Sequence, residues 1–397
     1  MDVTDNCDNL RVPLSAAKRK LLKSKYPYYG AQGIIDYVDG YLFDGEYLLV
    51  AEDGENLRSR KENLCTLVEG KFWVNNHAHI LKAKPNLNIK YLYYYLNAID
   101  FSGLITGSAQ PKLTKESLEC IPIVIPNRPT QDRIACFLWN IDKKIKLNNQ
   151  INSELEAMAK LIYDYWFVQF DFPDENGNPY KSSGGKMVYN KELKREIPFG
   201  WGAGRLSDFE QKIITGKTPS TENKNNFGGD IPFICIGDVR GNMYITKTEI
   251  TLSEVGAASQ ANKFIPKDSI CVTCIASPGL VGFATSESQT NQQLNTIVCS
   301  KKENRYFLYF YLKEYFKFSK AKMGNTFANM NKDDFSSILL PYPKDEIVDS
   351  FSKKVKSIFD LVLQNSKEND LLKEQRDWLL PMLMNGKVKV KRANIEK

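Results

Sequence analysis

The sequence predicts an α+β chain: two mixed α/β domains separated by a long antiparallel two-helix coiled coil, arranged as a pseudo-twofold internal repeat. Three observations carry that expectation. The sequence matches itself at an offset of 217 residues, so that Gly107 meets Gly324, Lys115 meets Lys332, Ile121 meets Ile338, Pro126 meets Pro343 and Asp132 meets Asp349. Self-similarity at a fixed offset marks one unit used twice. A heptad pattern starts in each copy just after that stretch. Ahead of each heptad stretch, apolar residues fall in short β-branched runs bounded by Gly, Asp or Pro, as strands do.

Taken in order, the first domain is expected over residues 1–127, with strands at 47–51 and 121–125 and a short helix at 89–98. A first long helix follows over 128–170. Its seam is Ile134, Leu138, Ile141, Ile145, Asn148, Asn152, Leu155, Ala159, Ile162 and Trp166, recurring every four and three residues as in a coiled coil. Residues 171–197 form a linker, and from Pro173 onward their Gly, Asn, Lys and Ser content reads as an exposed connector. The second domain is expected over 198–343, with strands at 231–236 and 270–273 and a helix at 305–316. The second long helix, 344–386, answers the first with Phe351, Val355, Ile358, Val362, Asn365, Asn369, Leu372, Arg376, Leu379 and Leu383, and residues 387–397 make a basic C-terminal tail. Asn148/Asn152 and Asn365/Asn369 occupy the same seam positions in both copies. A buried Asn in an apolar seam costs stability but fixes register, because only one alignment pairs the amides. At 1.5 Å per residue each helix is roughly 60 Å long, and antiparallel packing brings the Asn layers together at both midpoints.

With 397 residues, 42% of them hydrophobic, the chain can bury a core in each domain, which excludes full disorder. No apolar run approaches the roughly 20 residues that a membrane-spanning helix needs. Residues 1–5 have neither the basic start nor the apolar stretch of a secretory signal, so a cytoplasmic protein is expected. Eight scattered Cys fit reduced thiols in that compartment. The 54 Lys and Arg against 47 Asp and Glu give a net charge of +7, which permits a polyanionic partner without demanding one.

No catalytic or metal-binding constellation is complete. Gly216-Lys217-Thr218 imitates the end of a phosphate-binding loop, but Gln211 stands where the first glycine belongs. Asn178-Pro179-Tyr180 lacks the second proline of the tetrapeptide with which amino-methyltransferases hold a flipped adenine, and no glycine-rich turn for S-adenosylmethionine precedes it. Cys271 and Cys274 have a metal-like spacing, yet residues three apart on a strand point to opposite faces, so two small buried hydrophobes are expected. His77 and His79 are the only histidines, and no nearby carboxylate or Cys cluster completes a metal site around them. The chain therefore reads as a non-catalytic binder with no cofactor of its own.

Two modules on a rigid two-helix ruler suit a target that presents two separated sites on one repeating polymer, and duplex DNA is the natural candidate. Lys and Arg neutralise phosphates, while Asn and Gln read adenine edges bidentately. The candidate contacts in the first domain are Lys18, Arg19, Lys20, Lys23, Lys25, Arg58, Arg60, Lys61, Asn75, Asn76 and His77. Those in the second are Lys212, Lys217, Thr218, Ser220, Lys224, Asn291, Gln292 and Gln293. The competing expectation is a coiled-coil scaffold whose globular ends bind proteins.

Beyond these patterns, Gln131-Asp132-Arg133-Ile134, Ile141-Asp142-Lys143-Lys144-Ile145 and Asn148-Asn149-Gln150-Ile151-Asn152 resemble the helical region of type I restriction-modification specificity subunits. So do Tyr165-Trp166-Phe167-Val168-Gln169-Phe170-Asp171-Phe172-Pro173, Ile197-Pro198-Phe199-Gly200-Trp201 and the terminal Arg376-Asp377-Trp378-Leu379-Leu380-Pro381. The resemblance spans essentially the whole chain. It implies two target-recognition domains, each reading one half of a bipartite double-stranded DNA sequence, with the helices setting the unread spacer. It also implies partners: two modification (methyltransferase) subunits that bind S-adenosylmethionine and methylate adenine, and restriction subunits whose translocase and nuclease use ATP and Mg. One departure stands out. The second domain opens with Ile197-Pro198-Phe199-Gly200-Trp201, whereas the first reaches Arg11-Val12-Pro13-Leu14 with almost nothing ahead of it, so it is either a distinct subclass or lacks its opening strand.

Overall fold

The computed structural model describes residues 3–20, 25–107, 110–210, 212–323 and 329–390, so Lys23, Gln211, Gly324 and positions 391–397 of the expected tail lie outside the described residues. The chain divides into two units, Met1–Ile145 with Leu372–Lys397, and Lys146–Leu371.

In the first unit the strands are β1 (Thr4–Asn6), β2 (Tyr26–Gly30), β3 (Gly33–Val38), β4 (Phe43–Ala51), β5 (Cys65–Val74) and β6 (Ala78–Ala83), joined in the order β1-β6-β4-β5-β2-β3. All neighbours are antiparallel except β2 and β5. The two-residue alternation of a strand sends Leu48 and Val50 of β4 into one core, while Tyr47 and Leu49 pack on the other face with Phe43, Phe72 and Ile80. Short helices α1 (Ala16–Lys20) and α2 (Asn56–Ser59) follow β1 and β4. Helix α3 (Ile89–Ala98), capped by the Asn88 side chain, lies where the sequence placed it and packs with Leu48 and Val50. The pair β7 (Ile105–Thr106) and β8 (Lys112–Leu113), helix α4 (Lys115–Glu119) and the start of the long α5 (Arg128–Tyr163) complete this unit.

The second unit contains the hairpin β9 (Met187–Asn190) and β10 (Arg195–Pro198), and β11 (Gly202–Arg205), which pairs with the late strand at 339–342. After α6 (Leu206–Phe209) come β12 (Lys212–Thr215), β13 (Phe227–Ile234), α7 (Ile236–Val239), β14 (Tyr244–Ile245), β15 (Ile250–Leu252), α8 (Glu254–Ala258), β16 (Ile270–Thr273), β17 (Val281–Ala284), β18 (Gln289–Thr290) and β19 (Leu294–Val298). Helices α9 (Asn304–Met323) and α10 (Lys332–Ser336), strand β20 (Leu339–Tyr342) and the long α11 (Asp345–Met384) close the order. The five-stranded sheet β12-β19-β16-β17-β14 repeats the order β1-β6-β4-β5-β2, and in both its last pair is parallel. A smaller sheet, β15-β13-β18, stands beside it.

One expectation is corrected. Residues 121–125 form no strand, although their repeat partners at β20 do. Pairing needs a neighbour: β20 has β11, whereas no strand pairs with 121–125 among the described residues. The connector from Pro173 onward is largely exposed, and its flanks are anchored. Phe172 stacks on Tyr180 at 4.7 Å and on Trp201 at 5.4 Å, Asp171 accepts from the Ser182 N–H and hydroxyl, and Phe172 and Ile197 are buried in the second unit's core.

All the seam residues named from the heptad pattern are buried or half-buried. In the second unit Asn148 Nδ2 donates to Asn369 Oδ1 at 2.9 Å, Asn369 Nδ2 to Asn149 Oδ1 at 2.8 Å, and Asn365 Nδ2 to Asn152 Oδ1 at 2.8 Å, so α5 and α11 run antiparallel with their amide layers paired. Each helix starts beside its own sheet and ends in the core of the other unit. Ala159, Tyr163, Trp166 and Phe167 are buried in the second unit, Leu383 and Met384 in the first. Arg376, which takes the seam place of Ala159, reaches Asp142 at 2.7 Å within the first unit, and Tyr94 donates to the same carboxylate.

Candidate nucleic-acid interface

In the first unit β5 passes into β6 through Asn75, Asn76 and His77. Asn75 is buried, and its Oδ1 accepts the His77 N–H at 2.8 Å, which closes an Asx turn. The Asn75 N–H donates to the Tyr29 carbonyl at 3.0 Å, and the Glu52 N–H donates to the His77 carbonyl at 3.0 Å. Asn76 and His77 are exposed, with His77 Nδ1 2.6 Å from Asp53. Beneath this turn lies a charged network. Arg11 Nη1 donates to Glu52 at 2.6 Å and to the Ala78 carbonyl at 3.0 Å, Lys112 stands 3.2 Å from Glu52, and buried His79 lies 2.6 Å from Asp8 and 2.9 Å from the Leu113 carbonyl. Burial alone would raise the Asp8 carboxyl, but bonds from His79 and the Ile80 N–H hold it below its ordinary value. Burial likewise opposes a charge on Glu52, and Arg11, His79 and Lys112 outweigh it.

The second unit builds the same turn from different residues. Asn291 Oδ1 accepts the Gln293 N–H at 3.0 Å, the Asn291 N–H donates to the Ile234 carbonyl at 3.1 Å, and the Cys274 N–H donates to the Gln293 carbonyl at 2.8 Å. These three bonds reproduce those around Asn75 one for one, so Asn75, Asn76 and His77 answer to Asn291, Gln292 and Gln293. The 216–220 loop lies against this turn: Gly216 N–H donates to Leu294 at 3.1 Å, Lys217 N–H to Thr290 at 2.9 Å, and the Thr218 hydroxyl to Gln292. A Cβ on Gly216 would stand 2.2 Å from the Asn291 carbonyl oxygen and 2.3 Å from that of Thr290, so glycine is needed for close approach. The Lys217 N–H is committed to Thr290, and so the Gly-Lys-Thr run is no phosphate cradle. Behind the turn the network is neutral. Gln260 Nε2 donates to the Lys217 carbonyl and to Gln289 Oε1, both at 2.7 Å, and Thr215 donates to Asn295 at 2.6 Å.

The structure gathers Lys217, Thr218, Asn291, Gln292 and Gln293 into one cluster, with Ser220 and Lys224 exposed farther along the same loop and Lys212 exposed on β12. The first unit's candidates are more dispersed. Lys18 and Lys20 project from α1, but Arg19 between them bonds Asp36 at 2.8 Å and the Leu14 carbonyl at 2.6 Å, and lies over the Tyr28 ring. Lys25 is exposed above the Tyr26 ring. Arg58 donates to the Gly107 carbonyl at 2.6 Å, Lys61 is exposed, and Arg60 donates to the Asn97 and Ile99 carbonyls. Arg19 and Arg60 thus fix loops as well as carrying charge. Sequence reasoning missed Arg11, Asp8, Glu52 and Asp53 in the first unit and Gln260 and Gln289 in the second, because none sits in a cluster of its kind along the chain. Cys271 and Cys274 are buried, and burial pushes their thiols up to about 12 and about 11. Among the described residues no group of three His, Cys, Asp or Glu could hold a metal ion, and no helix is long and apolar enough to cross a membrane.

The family model of the type I restriction modification DNA specificity domain matches twice, at residues 6–157 and 198–374. The chain is 34% identical over 407 residues to the type I restriction enzyme HindI specificity subunit of Haemophilus influenzae, covering 87% of this chain and 84% of that protein. It is 27% identical over 325 residues to the type I restriction enzyme MjaIX specificity subunit of Methanocaldococcus jannaschii, covering 77% and 71% respectively. Among solved structures, the S subunit of a type I restriction-modification system from M. genitalium has the same fold, with a TM-score of 0.58 at 16% identity over 99% of this chain and 95% of that one.

Proposed function

The chain belongs to the family of type I restriction-modification DNA specificity subunits, and from that premise we propose how it reads its target. Each unit recognises one half of a bipartite sequence in double-stranded DNA through its Asn-anchored turn. Asn76 and His77 present polar groups in the first unit, and Gln292 and Gln293 present amides in the second. Amides of this kind can bond the adenine N6 and N7 edge bidentately, while Lys18, Lys20, Lys212, Lys217 and Lys224 neutralise phosphates. The observation that carries this reading is the repetition of the same three turn-holding bonds immediately ahead of the corresponding strands β6 and β19 in the two units.

In this reading α5 and α11 set the unread spacer between the halves. The chain itself performs no chemistry. Adenine methylation belongs to two modification subunits carrying S-adenosylmethionine, and cleavage to restriction subunits using ATP and Mg, in a complex that works in the cytoplasm. Long-read mapping of methylated adenines, in cells carrying this chain with its modification subunits, tests the proposal. The expected pattern is one bipartite motif, with Gln292→Ala relaxing a single half of it. Methylation that ignores the chain, or DNA retention that does not weaken as salt rises, would favour a protein-binding scaffold instead.

A further inference from the structure

The two recognition turns rest on different chemistry. Beneath the first, the ring nitrogens of His79 each face a group that can only accept: Nδ1 is 2.6 Å from an Asp8 carboxylate oxygen and Nε2 is 2.9 Å from the Leu113 carbonyl. A neutral imidazole has a single N–H and satisfies one of them, whereas the imidazolium satisfies both. The other groups around it are fixed. Asp8 also accepts the Ile80 N–H at 2.8 Å and lies 3.5 Å from Arg11, and Glu52 stands 3.9 Å from His79 while pairing with Arg11 and Lys112. Asp53, against His77, and Glu116, on α4, are the remaining acids nearby.

The network is coupled to the turn at three points: the Glu52 N–H holds the His77 carbonyl, and Arg11 holds the Asn76 and Ala78 carbonyls. In the second unit, two residues beyond Gln293 as His79 is two beyond His77, stands Asn295. It is buried, accepts from Thr215, and does not titrate.

We propose that His79, as an imidazolium, is a positioning residue that holds the 75–77 turn in its reading geometry, so that recognition of the first half-sequence alone weakens as pH rises. The inference rests on the DNA-recognition reading above. Burial disfavours the charge, but the bonds to Asp8 and the Leu113 carbonyl hold the His79 pKa above its ordinary 6.5. A raised folded-state pKa means the stabilisation is fully present below 6.5 and is lost as pH climbs through the higher folded value.

The test uses the complex with its modification subunits at constant ionic strength, from about pH 6 to pH 9, across the range where imidazoles titrate. Competitor duplexes carry either half scrambled, and the first half is identified as the one relaxed by Asn76→Ala. Discrimination at the first half should fall about tenfold across the titration, the effect of losing one charge-assisted hydrogen bond, while discrimination at the second half stays level. His79→Asn should give low, pH-independent discrimination at the first half. Asp8→Asn, which removes the partner carboxylate but leaves the ring, should move the midpoint to lower pH. A level wild-type profile, or a midpoint that persists in His79→Asn, overturns the inference. Discrimination at neither half at any pH overturns the DNA-recognition reading with it.

Discussion

Replacing Asn369 by alanine probes the seam where its geometry is most constrained. The residue is 4% exposed, its Oδ1 accepts from Asn148 and its Nδ2 donates to Asn149. Asn369→Ala removes both bonds and opens a small void, while Asn148 keeps its 2.8 Å bond to Glu368. At about 1 kcal/mol per neutral bond plus a modest cavity cost, the loss should be about 2–3 kcal/mol. The unit spans residues 146–371, a size for which each kcal/mol shifts the transition by roughly 2–4 °C, giving a drop on the order of 4–12 °C. Thermal unfolding of the full chain, followed by circular dichroism, measures it. Changing Asn148 and Asn369 together to leucine should cost less than the sum of the two single leucine changes, because no amide is then left buried without its partner. A silent Asn369→Ala, or a double leucine variant worse than that sum, would refute the claim that these amides act as a pair.

Two further outcomes follow from the recognition surfaces. Gly216→Ala should abolish discrimination at the second half-sequence while sparing the first, since the added Cβ meets backbone oxygens at 2.2–2.3 Å and lifts the 216–220 loop from its turn; methylation mapping reads this directly. Lys18→Ala with Lys20→Ala should make the salt dependence of DNA binding shallower, by up to about 0.9 for each phosphate that is no longer neutralised, whereas Arg19→Ala, which breaks the bonds to Asp36 and Leu14, should show in thermal unfolding as well.

The helical framework was legible because its information is local. The heptad pattern places every seam residue on the buried side, and the matched Asn positions pair as their spacing requires. The short helix Ile89–Ala98 forms where the sequence placed it. Residues 75–77 and 291–293 were named from the sequence, but the turns they build were not legible. Asn75 and Asn291 are 216 residues apart, one short of the repeat offset, and the groups that hold them come from strands far away in sequence: Tyr29 and Glu52 in one unit, Ile234 and Cys274 in the other. The roles of Arg19 and Arg60 were hidden for the same reason, since backbone carbonyls of distant loops leave no mark on the sequence. Residues 121–125 have strand composition, but a strand needs a neighbour, and β20 shows what that neighbour supplies in the other copy.

The spacing of the two half-sequences tests the central claim most directly. Because each helix ends in the core of the other unit, a heptad must be inserted at the same level in both, between Ile145 and Asn148 in α5 and between Asn369 and Leu372 in α11. Seven residues lengthen each helix by roughly 10 Å at 1.5 Å per residue, equivalent to about 3 base pairs at 3.4 Å each. Methylated-adenine mapping of this variant should return the same two half-sequences with a spacer about 3 base pairs longer, even if the yield of methylated sites falls. An unchanged spacer, or altered half-sequences with both turns untouched, would contradict the account.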